Sequence, residues 1–324
     1  MRFLRPDNER LELTYNDVFL LPQYSDIPSR MDVDVAPVSK INLQIPIVLS
    51  NMTSVAGRRM AETVARRGGL VVFTQDASFD RIEKMVAFVK KANIKYDTPI
   101  ILKETDTIQT ALNLILKRAH KAVIIVDDEN HPIGIFKEKD KDDKDLFTLM
   151  KDVMSRELIT IPEDLAPKEI FYILDKHRLS IAPVVDKENK LVGVITKKGA
   201  VRLSMYNPAV NENNQLLTAV AVRAGGDVEQ SVNRLLEIGV DVIVVDTAHG
   251  HQKKMIEAVK GARRMAGNDF PIVAGNVVTQ EGAQALIDAG ASIVKVGVGP
   301  GAVCTTRMMT GVGRPQFSAV HRVA

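Results

Sequence analysis

Two periodicities alternate along the chain. A short, continuous apolar run ends in a Gly-rich or polar junction, and helical spacing follows. Ile45 to Ser50 leads through Asn51-Met-Thr-Ser54 into a helical pattern from Val55 to Arg67. Gly69 to Phe73 leads through Thr74-Gln-Asp76 into another from Asp80 to Lys91. The pattern then stops for a long stretch and resumes with Thr218 to Val222, Val240 to Asp246, Pro271 to Gly275 and Ser292 to Val296. Continuous β-branched runs between helices are what a parallel sheet covered on both faces requires. The spacing therefore predicts an α/β domain, residues 1–95 and 207–324, split by an insertion at 96–206.

The insertion repeats itself. Val126-Asp-Asp-Glu-Asn-His-Pro-Ile-Gly-Ile-Phe136 matches Val185-Asp-Lys-Glu-Asn-Lys-Leu-Val-Gly-Val-Ile195 at an offset of 59 residues. In each copy an apolar strand enters an Asp/Asn-rich hairpin turn, and a glycine precedes the returning strand. Amphipathic helices precede both copies, over Ile108 to Arg118 and Pro167 to Arg178. Agreement of helix, strand and turn in one register predicts two βαββ units, about 96–148 and 150–206.

Composition narrows the class without naming a chemistry. The 324 residues are 45% hydrophobic and 26% charged, with one cysteine, no tryptophan and a net charge of +3. This is a globular composition rather than a disordered or disulfide-built one. No apolar run approaches the roughly 20 residues that cross a bilayer. The start, Met1 to Asn8, has no apolar core of the kind a secretory signal carries. Balanced charge and 5% aromatic residues give no footprint for nucleic acid. The mixed run Lys137 to Lys144 reads as a solvated loop. A cytoplasmic protein with neither membrane nor nucleic-acid partner is expected.

Chemistry concentrates around the one cysteine. The last apolar run continues as Lys295-Val-Gly-Val-Gly-Pro-Gly-Ala-Val-Cys-Thr-Thr-Arg307. Gly297, Gly299 and Gly301 allow positive φ and close approach of backbone to a ligand. Cys304 follows, at or near a helix start and beside Arg307. A helix N-terminus and a neighbouring cation both favour thiolate, which could attack an electrophilic carbon. A small buried thiol is the other reading of a lone cysteine. The polar ends of the other strands belong on the same face: Ser50 to Ser54, Thr74 to Asp76, Asp246 to Gly250, and Gly275-Asn276. Asp246 has two readings, a ribose acceptor or a helix N-cap. His249 and His251 have no third metal ligand at suitable spacing.

The run VGVGPGAVCTTRMMTGVGRPQ, ending at Gln316 and continued by Phe317-Ser-Ala-Val320, closely resembles the IMP dehydrogenase/GMP reductase family. Leu13-Thr-Tyr-Asn-Asp-Val-Phe-Leu-Leu-Pro22, the first strand end, Asp246 and Gly275-Asn-Val277 extend the resemblance over essentially the whole chain. It implies a TIM-type (β/α)8 barrel, of which about six strands are present. It also implies that the insertion is a tandem pair of cystathionine-β-synthase-type (CBS) repeats. The implied activity is NAD(P)-dependent oxidation or reduction of a purine nucleoside monophosphate at C2. Cys304 would attack C2 and Thr306 would assist the leaving group or a proton transfer. Gly299, Gly301 and Cys304 would offer carbonyls to a monovalent cation, K+ in the family. Asp246, Thr247, Ala248, Gly297, Val298 and Gly299 would face the dinucleotide. Ser50, Met52, Asn276 and Ala302 would line the nucleotide pocket. The CBS pair implies an adenine or guanine nucleotide, with Asp140 at the ribose position of the first copy and Gly199 at its counterpart. A homo-oligomer, tetramer or octamer, is expected.

Three positions depart from the family pattern. Ala302 replaces a phosphate-contacting serine, Thr53 replaces an aspartate, and Gln75-Asp76 stands where short-type GMP reductases carry a lysine. The Arg307 to Ser318 run and Asp246-Thr-Ala-His-Gly-His251 look like a CBS-containing branch associated with GMP reduction. The favoured reaction is therefore GMP plus NADPH to IMP, ammonia and NADP. The alternative is IMP plus NAD and water to XMP, and the non-enzyme alternative is a CBS nucleotide sensor. Because the sequence reaches Ala324 after six strands, a truncated barrel, inactive or weak, is also expected.

Overall fold

The computed structural model describes residues 11–141 and 144–324. The start from Met1 to Asn8, and Asp142-Asp143 within the charged run, lie outside the described residues. The chain divides into two compact units: one of residues up to Lys90 and from Ala209 onward, the other from Lys91 to Pro208.

The first unit is built on six parallel strands in the order β1-β2-β9-β10-β11-β12. They are β1 (Val48–Leu49), β2 (Leu70–Phe73), β9 (Ala219–Arg223), β10 (Val242–Asp246), β11 (Ile272–Val277) and β12 (Ile293–Val296). Helices α1 (Arg58–Ala65), α2 (Phe79–Lys90), α6 (Val228–Glu237), α7 (Lys253–Ala266) and α8 (Gln280–Asp288) alternate with them. Helix starts follow their caps. Asp227 accepts from the Gln230 amide at 2.9 Å before α6, and Thr279 from the Gly282 amide at 3.1 Å before α8. Short helices α9 (Thr306–Thr310) and α10 (Gln316–Val323) complete the unit. The arrangement is a parallel half-barrel sheet. Its inner face carries Leu70, Val72, Ala219, Ala221, Val242 and Val244, packed with Ile41 and Leu43.

Two boundaries move from their predicted places. α1 begins at Arg58 rather than Val55, because the amides of Val55 and Ala56 both turn back to the Met52 carbonyl and Gly57 is extended. The run from Ile45 to Ser50 is paired over Val48–Leu49 alone.

The second unit contains two three-stranded sheets. In the first, β3 (Ile101–Leu102) pairs parallel with β4 (Ala122–Val126), which pairs antiparallel with β5 (Pro132–Lys137). β6 (Ile161–Pro162), β7 (Ile181–Val185) and β8 (Leu191–Thr196) repeat the pattern. Helices α3 (Ile108–Ile115) and α4 (Pro167–Lys176) occupy equivalent places, and α5 (Lys197–Leu203) follows β8. Both hairpins use the same turn chemistry, with Asn130 at φ 70° and Asn189 at φ 62°. The copies exchange backbone. Asp97 bridges Val194 of the second, and Ser155 bridges Ile135 of the first. Ala122, Ile124, Ile135, Ile181 and Val194 share one core cluster, so neither copy buries its sheet alone.

Candidate active site

Side-chain alternation along parallel strands sets the first layer of the site. Asp246 pairs in register with Gly275 on one side and Arg223 on the other, and Gly275 pairs with Lys295. These four positions form one ring on the inner face, above the apolar layers. A β-carbon at Gly275 would lie 2.6 Å from the Lys295 β-carbon and 2.5 Å from its carbonyl oxygen. The absent side chain therefore leaves Lys295 free to cross its neighbour strand. Its Nζ donates to Asp246 Oδ1 at 2.5 Å and to Asn51 Oδ1 at 3.3 Å. Asn51 Nδ2 donates to Asp246 Oδ2 at 3.0 Å and to Gln75 Oε1 at 2.7 Å. At the far side Arg223 reaches Asp76 at 2.5 Å.

Asp246 is thus the acceptor at the centre of a polar layer. The N-cap reading is overturned: α7 starts at Lys253 behind Gln252, six residues further on. The Thr247 amide donates to the Gly275 carbonyl, and the Asn276 amide to the Thr247 carbonyl, both at 2.9 Å. This stitches the ends of β10 and β11 together.

The glycine loop forms the second part. Gly297 and Gly299 have φ of 132° and 80°. A β-carbon on Gly297 would meet Gln316 Oε1 at 2.5 Å, and one on Gly313 would meet the Val298 carbonyl at 2.9 Å. The Gly-Val-Gly run at Gly311 to Gly313 and the loop at Gly297 to Gly299 interlock because both lack side chains. Asn276 Nδ2 donates to the Gly297 carbonyl at 2.8 Å and Gln316 Nε2 to the Val296 carbonyl at 3.0 Å. The remaining amide oxygen of each is buried and accepts no bond from protein. A buried acceptor left so costs about 1–3 kcal/mol, which makes both oxygens receptive to a donor from ligand or water.

Cys304 is half-buried and precedes the five-residue α9. The Thr306 hydroxyl, followed by the Thr306 amide, holds its thiol below the ordinary range, and the amides of Arg307 and Gly299 act in the same sense. The expected cation effect is corrected here. Arg307 contributes its backbone N–H, and its guanidinium is not among the causes.

A cavity of about 830 Å3 joins the two parts. Ser50, Asn51, Asn276, Lys295, Cys304 and Gln316 supply its polar wall, together with Gly297, Gly299 and Gly301. Inner-face apolar residues, Val72 and Val244 among them, form its floor. Thr306 sits against the thiol, and Asp246 is reached through Lys295 and Asn51. Met52, Ala248 and Ala302 are exposed and lie off the cavity wall, and Thr247 and Val298 contribute backbone. Sequence reasoning assigned no role to Lys295, Arg223 or Gln316. A lysine within the apolar Ile-Val-Lys-Val strand was the available signal, since a strand in a covered sheet must pair such a charge. Among the described residues no group of three His, Cys, Asp or Glu could hold a metal, His249 and His251 included. No helix there is long and apolar enough to cross a membrane.

Residues 12–324 match the family model described as IMP dehydrogenase / GMP reductase domain. The chain is 46% identical over 324 residues to GMP reductase of Mycobacterium bovis, covering 100% of this chain and 67% of the relative. It is 39% identical over 322 residues to inosine-5'-monophosphate dehydrogenase of Aquifex aeolicus, covering 96% of this chain and 65% of that protein. The chain therefore spans about two thirds of the length of these relatives. Among solved structures, a GMP reductase from Trypanosoma brucei superposes with TM-score 0.64 at 32% identity, covering 97% of this chain and 72% of that one. A second structure from the same organism, in complex with guanosine 5'-triphosphate, gives 0.62 at 32% identity, with 97% and 77% covered.

Proposed function

This chain belongs to the IMP dehydrogenase / GMP reductase family, and we propose that it serves GMP reduction by NADPH, giving IMP, ammonia and NADP. The observation that carries the reading is the Cys304 thiol, held toward thiolate by Thr306 and lining a cavity with one polar wall. The thiolate adds to purine C2, and the amino group takes a proton and leaves as ammonia. When bound, a nicotinamide cofactor would supply the hydride that replaces it at C2. Carbon–sulfur cleavage then returns the thiolate. Thr306 is the residue beside the sulfur that can move the proton. Asp246, fixed by Lys295 and Asn51, is the acceptor for a ribose diol of the cofactor, and Ser50 and Asn276 face the nucleotide. Gly299, Gly301 and Cys304 would hold a monovalent cation through neutral carbonyls. The side-chain-free turn at Gly299, φ 80°, supports that fit, and the ion would brace the loop bearing the thiol.

The greater identity to a GMP reductase favours this direction. IMP dehydrogenation is the second reading, favoured by the 39% identity to such an enzyme. In this proposal the six parallel strands are part of a TIM-type barrel and the unit from Lys91 to Pro208 is a tandem CBS pair. That pair would take an adenine or guanine nucleotide. In the first copy the Asp140 carboxylate accepts from the Lys137 amide at 2.8 Å, so it is fixed in place there. The exposed Phe19, Leu20 and Tyr24, each more than 90% accessible, support assembly as a homo-oligomer.

The test offers the chain a purine nucleoside monophosphate carrying a halide leaving group at C2. Mass spectrometry should find one nucleotide on Cys304 and none on Cys304→Ser. Parallel assays of GMP with NADPH and of IMP with NAD decide the direction. An unlabelled Cys304, or turnover that survives Cys304→Ser, would overturn the covalent mechanism.

A further inference from the structure

Beside the Cys304 cavity, and separate from it, the segments after β1 and β2 enclose an open groove of about 530 Å3. Its walls carry four basic side chains. Arg58 and Arg59 come from the first turn of α1, and Arg81 and Lys84 from α2. Positions three apart on a helix share a face, so the two α2 cations point the same way. The acid in this lining, Asp76, is already engaged: Arg223 donates to it at 2.5 Å and Thr74 Oγ1 at 3.1 Å. Arg58 is steadied with its guanidinium 4.6 Å from the centroid of the Phe88 ring. Among the described residues neither Arg81 nor Lys84 has a carboxylate partner.

Like charges gathered around one groove repel, more so where solvent is reduced. An anion removes that cost. Guanidinium groups match the oxygens of a phosphate through paired N–H donors, and an ammonium adds a point charge. The position in the sheet suggests which phosphate. Asp246 ends β10, Arg223 ends β9, and Thr74 and Asp76 follow β2, the next strand. At the usual strand spacing, β10 and β2 lie about 10 Å apart. A ligand that meets Asp246 with one ribose and runs across the end of β9 arrives at this groove.

We propose that the groove binds a phosphomonoester, and that its occupant is the 2′-phosphate of NADP(H). The choice of occupant rests on the cofactor role given to Asp246 above. It makes Arg81 and Lys84, with Arg58, the residues that separate NADPH from NADH. Arg81 and Lys84 are exposed, so neutralising these two should leave the fold intact.

The experiment is isothermal titration of the full chain with adenosine 2′,5′-bisphosphate, adenosine 5′-monophosphate and inorganic phosphate. The bisphosphate should bind at least about tenfold more tightly than the monophosphate, the separation that one charge-assisted contact typically gives. Arg81→Gln combined with Lys84→Gln should abolish that preference and leave the monophosphate unchanged. Lys40→Gln combined with Lys260→Gln removes the same charge from exposed positions of the same unit, away from the groove, and should change nothing. Equal affinity for the two adenosine ligands would overturn the cofactor assignment, and inorganic phosphate binding lost in the Arg81/Lys84 variant would then identify a free phosphate as occupant. Bisphosphate binding unaffected by the Arg81/Lys84 change would overturn the groove itself. None of these readouts involves turnover. A chain that showed the preference but left Cys304 unlabelled would refute the reductase reading and keep the groove.

Discussion

The thiol of Cys304 is governed by one hydroxyl. Thr306 removes no charge and adds none. Its hydroxyl ranks first, above the backbone amides, among the groups that hold the thiol low. The sign follows directly. Alkylation needs thiolate, so its rate rises with pH through the thiol's pKa, and a lowered value moves the rise below the pH at which a free cysteine, about 8.5, responds. Thr306→Val keeps the shape and deletes the donor. The midpoint of the iodoacetamide rate against pH should then move up, toward that of a free cysteine. An unmoved midpoint would assign the effect to the amides of Thr306 and Arg307 instead. Cys304 was legible in the sequence because glycines, thiol and threonines are neighbours in the chain. Lys295 was not. Its partner Asp246 is 49 residues away, and the two meet because β11 stands between them and carries glycine at the crossing point. Strand order and register, which no local pattern contains, are needed to see it.

At the scale of elements, alternation was enough to find all six parallel strands but not to set their ends. Ile45 to Ser50 has the composition of a strand, yet only Val48 and Leu49 pair, with Leu70 and Val71 of β2. The repeat was legible from its hairpins, while the reason for its glycines was not. Gly134 faces Met154, and Gly193 faces Tyr96, each from the other copy's connecting segment. The two glycines therefore accept the exchange that joins the copies. Alanine at either overfills the contact, at a typical cost of about 1–3 kcal/mol. The two costs should differ. At Gly193 the new methyl meets the Tyr96 β-carbon, which moves only with the backbone and its bridge from Asp97 to Val194. At Gly134 it meets chiefly the sulfur of a flexible methionine. Hydrogen exchange should accordingly show β8 losing more protection in Gly193→Ala than β5 loses in Gly134→Ala. The reverse order would remove this account of the repeat.

The whole molecule depends on how the first unit keeps its sheet intact while its chain leaves at Lys90 and returns at Ala209. One carboxylate gathers both ends. Lys90 Nζ reaches Asp241 Oδ2 at 2.5 Å, and Asn211 Nδ2 reaches Asp241 Oδ1 at 3.0 Å. The Thr218 amide and hydroxyl donate to the same Oδ2, at 2.6 and 3.0 Å, just before β9 begins. The ammonium and the carboxylate side chains are 9% and 13% exposed. Their attraction is therefore little screened, and each is costly without the other. Asp241→Asn keeps one acceptor oxygen for Thr218, sets an amide NH2 against the Asn211 donor and strands the charge of Lys90, which should lower the unfolding free energy by about 3–5 kcal/mol, the usual penalty for breaking a buried pair. Adding Lys90→Met removes the stranded charge and should recover most of that loss, because an apolar side chain of similar length fills the place. Urea unfolding of the three chains measures this. It also separates the pair from the anchoring. If Asp241 only neutralised Lys90, the double variant would match the parent, and thermolysin, which cuts before residues such as Val210 and Leu216, would cut neither connection faster. If it also holds the return of the chain through Asn211 and Thr218, the double variant recovers stability yet is nicked sooner between Pro208 and Leu217. The four donors converging on one carboxylate favour the second outcome, and an unfolding midpoint unchanged in Asp241→Asn would refute both.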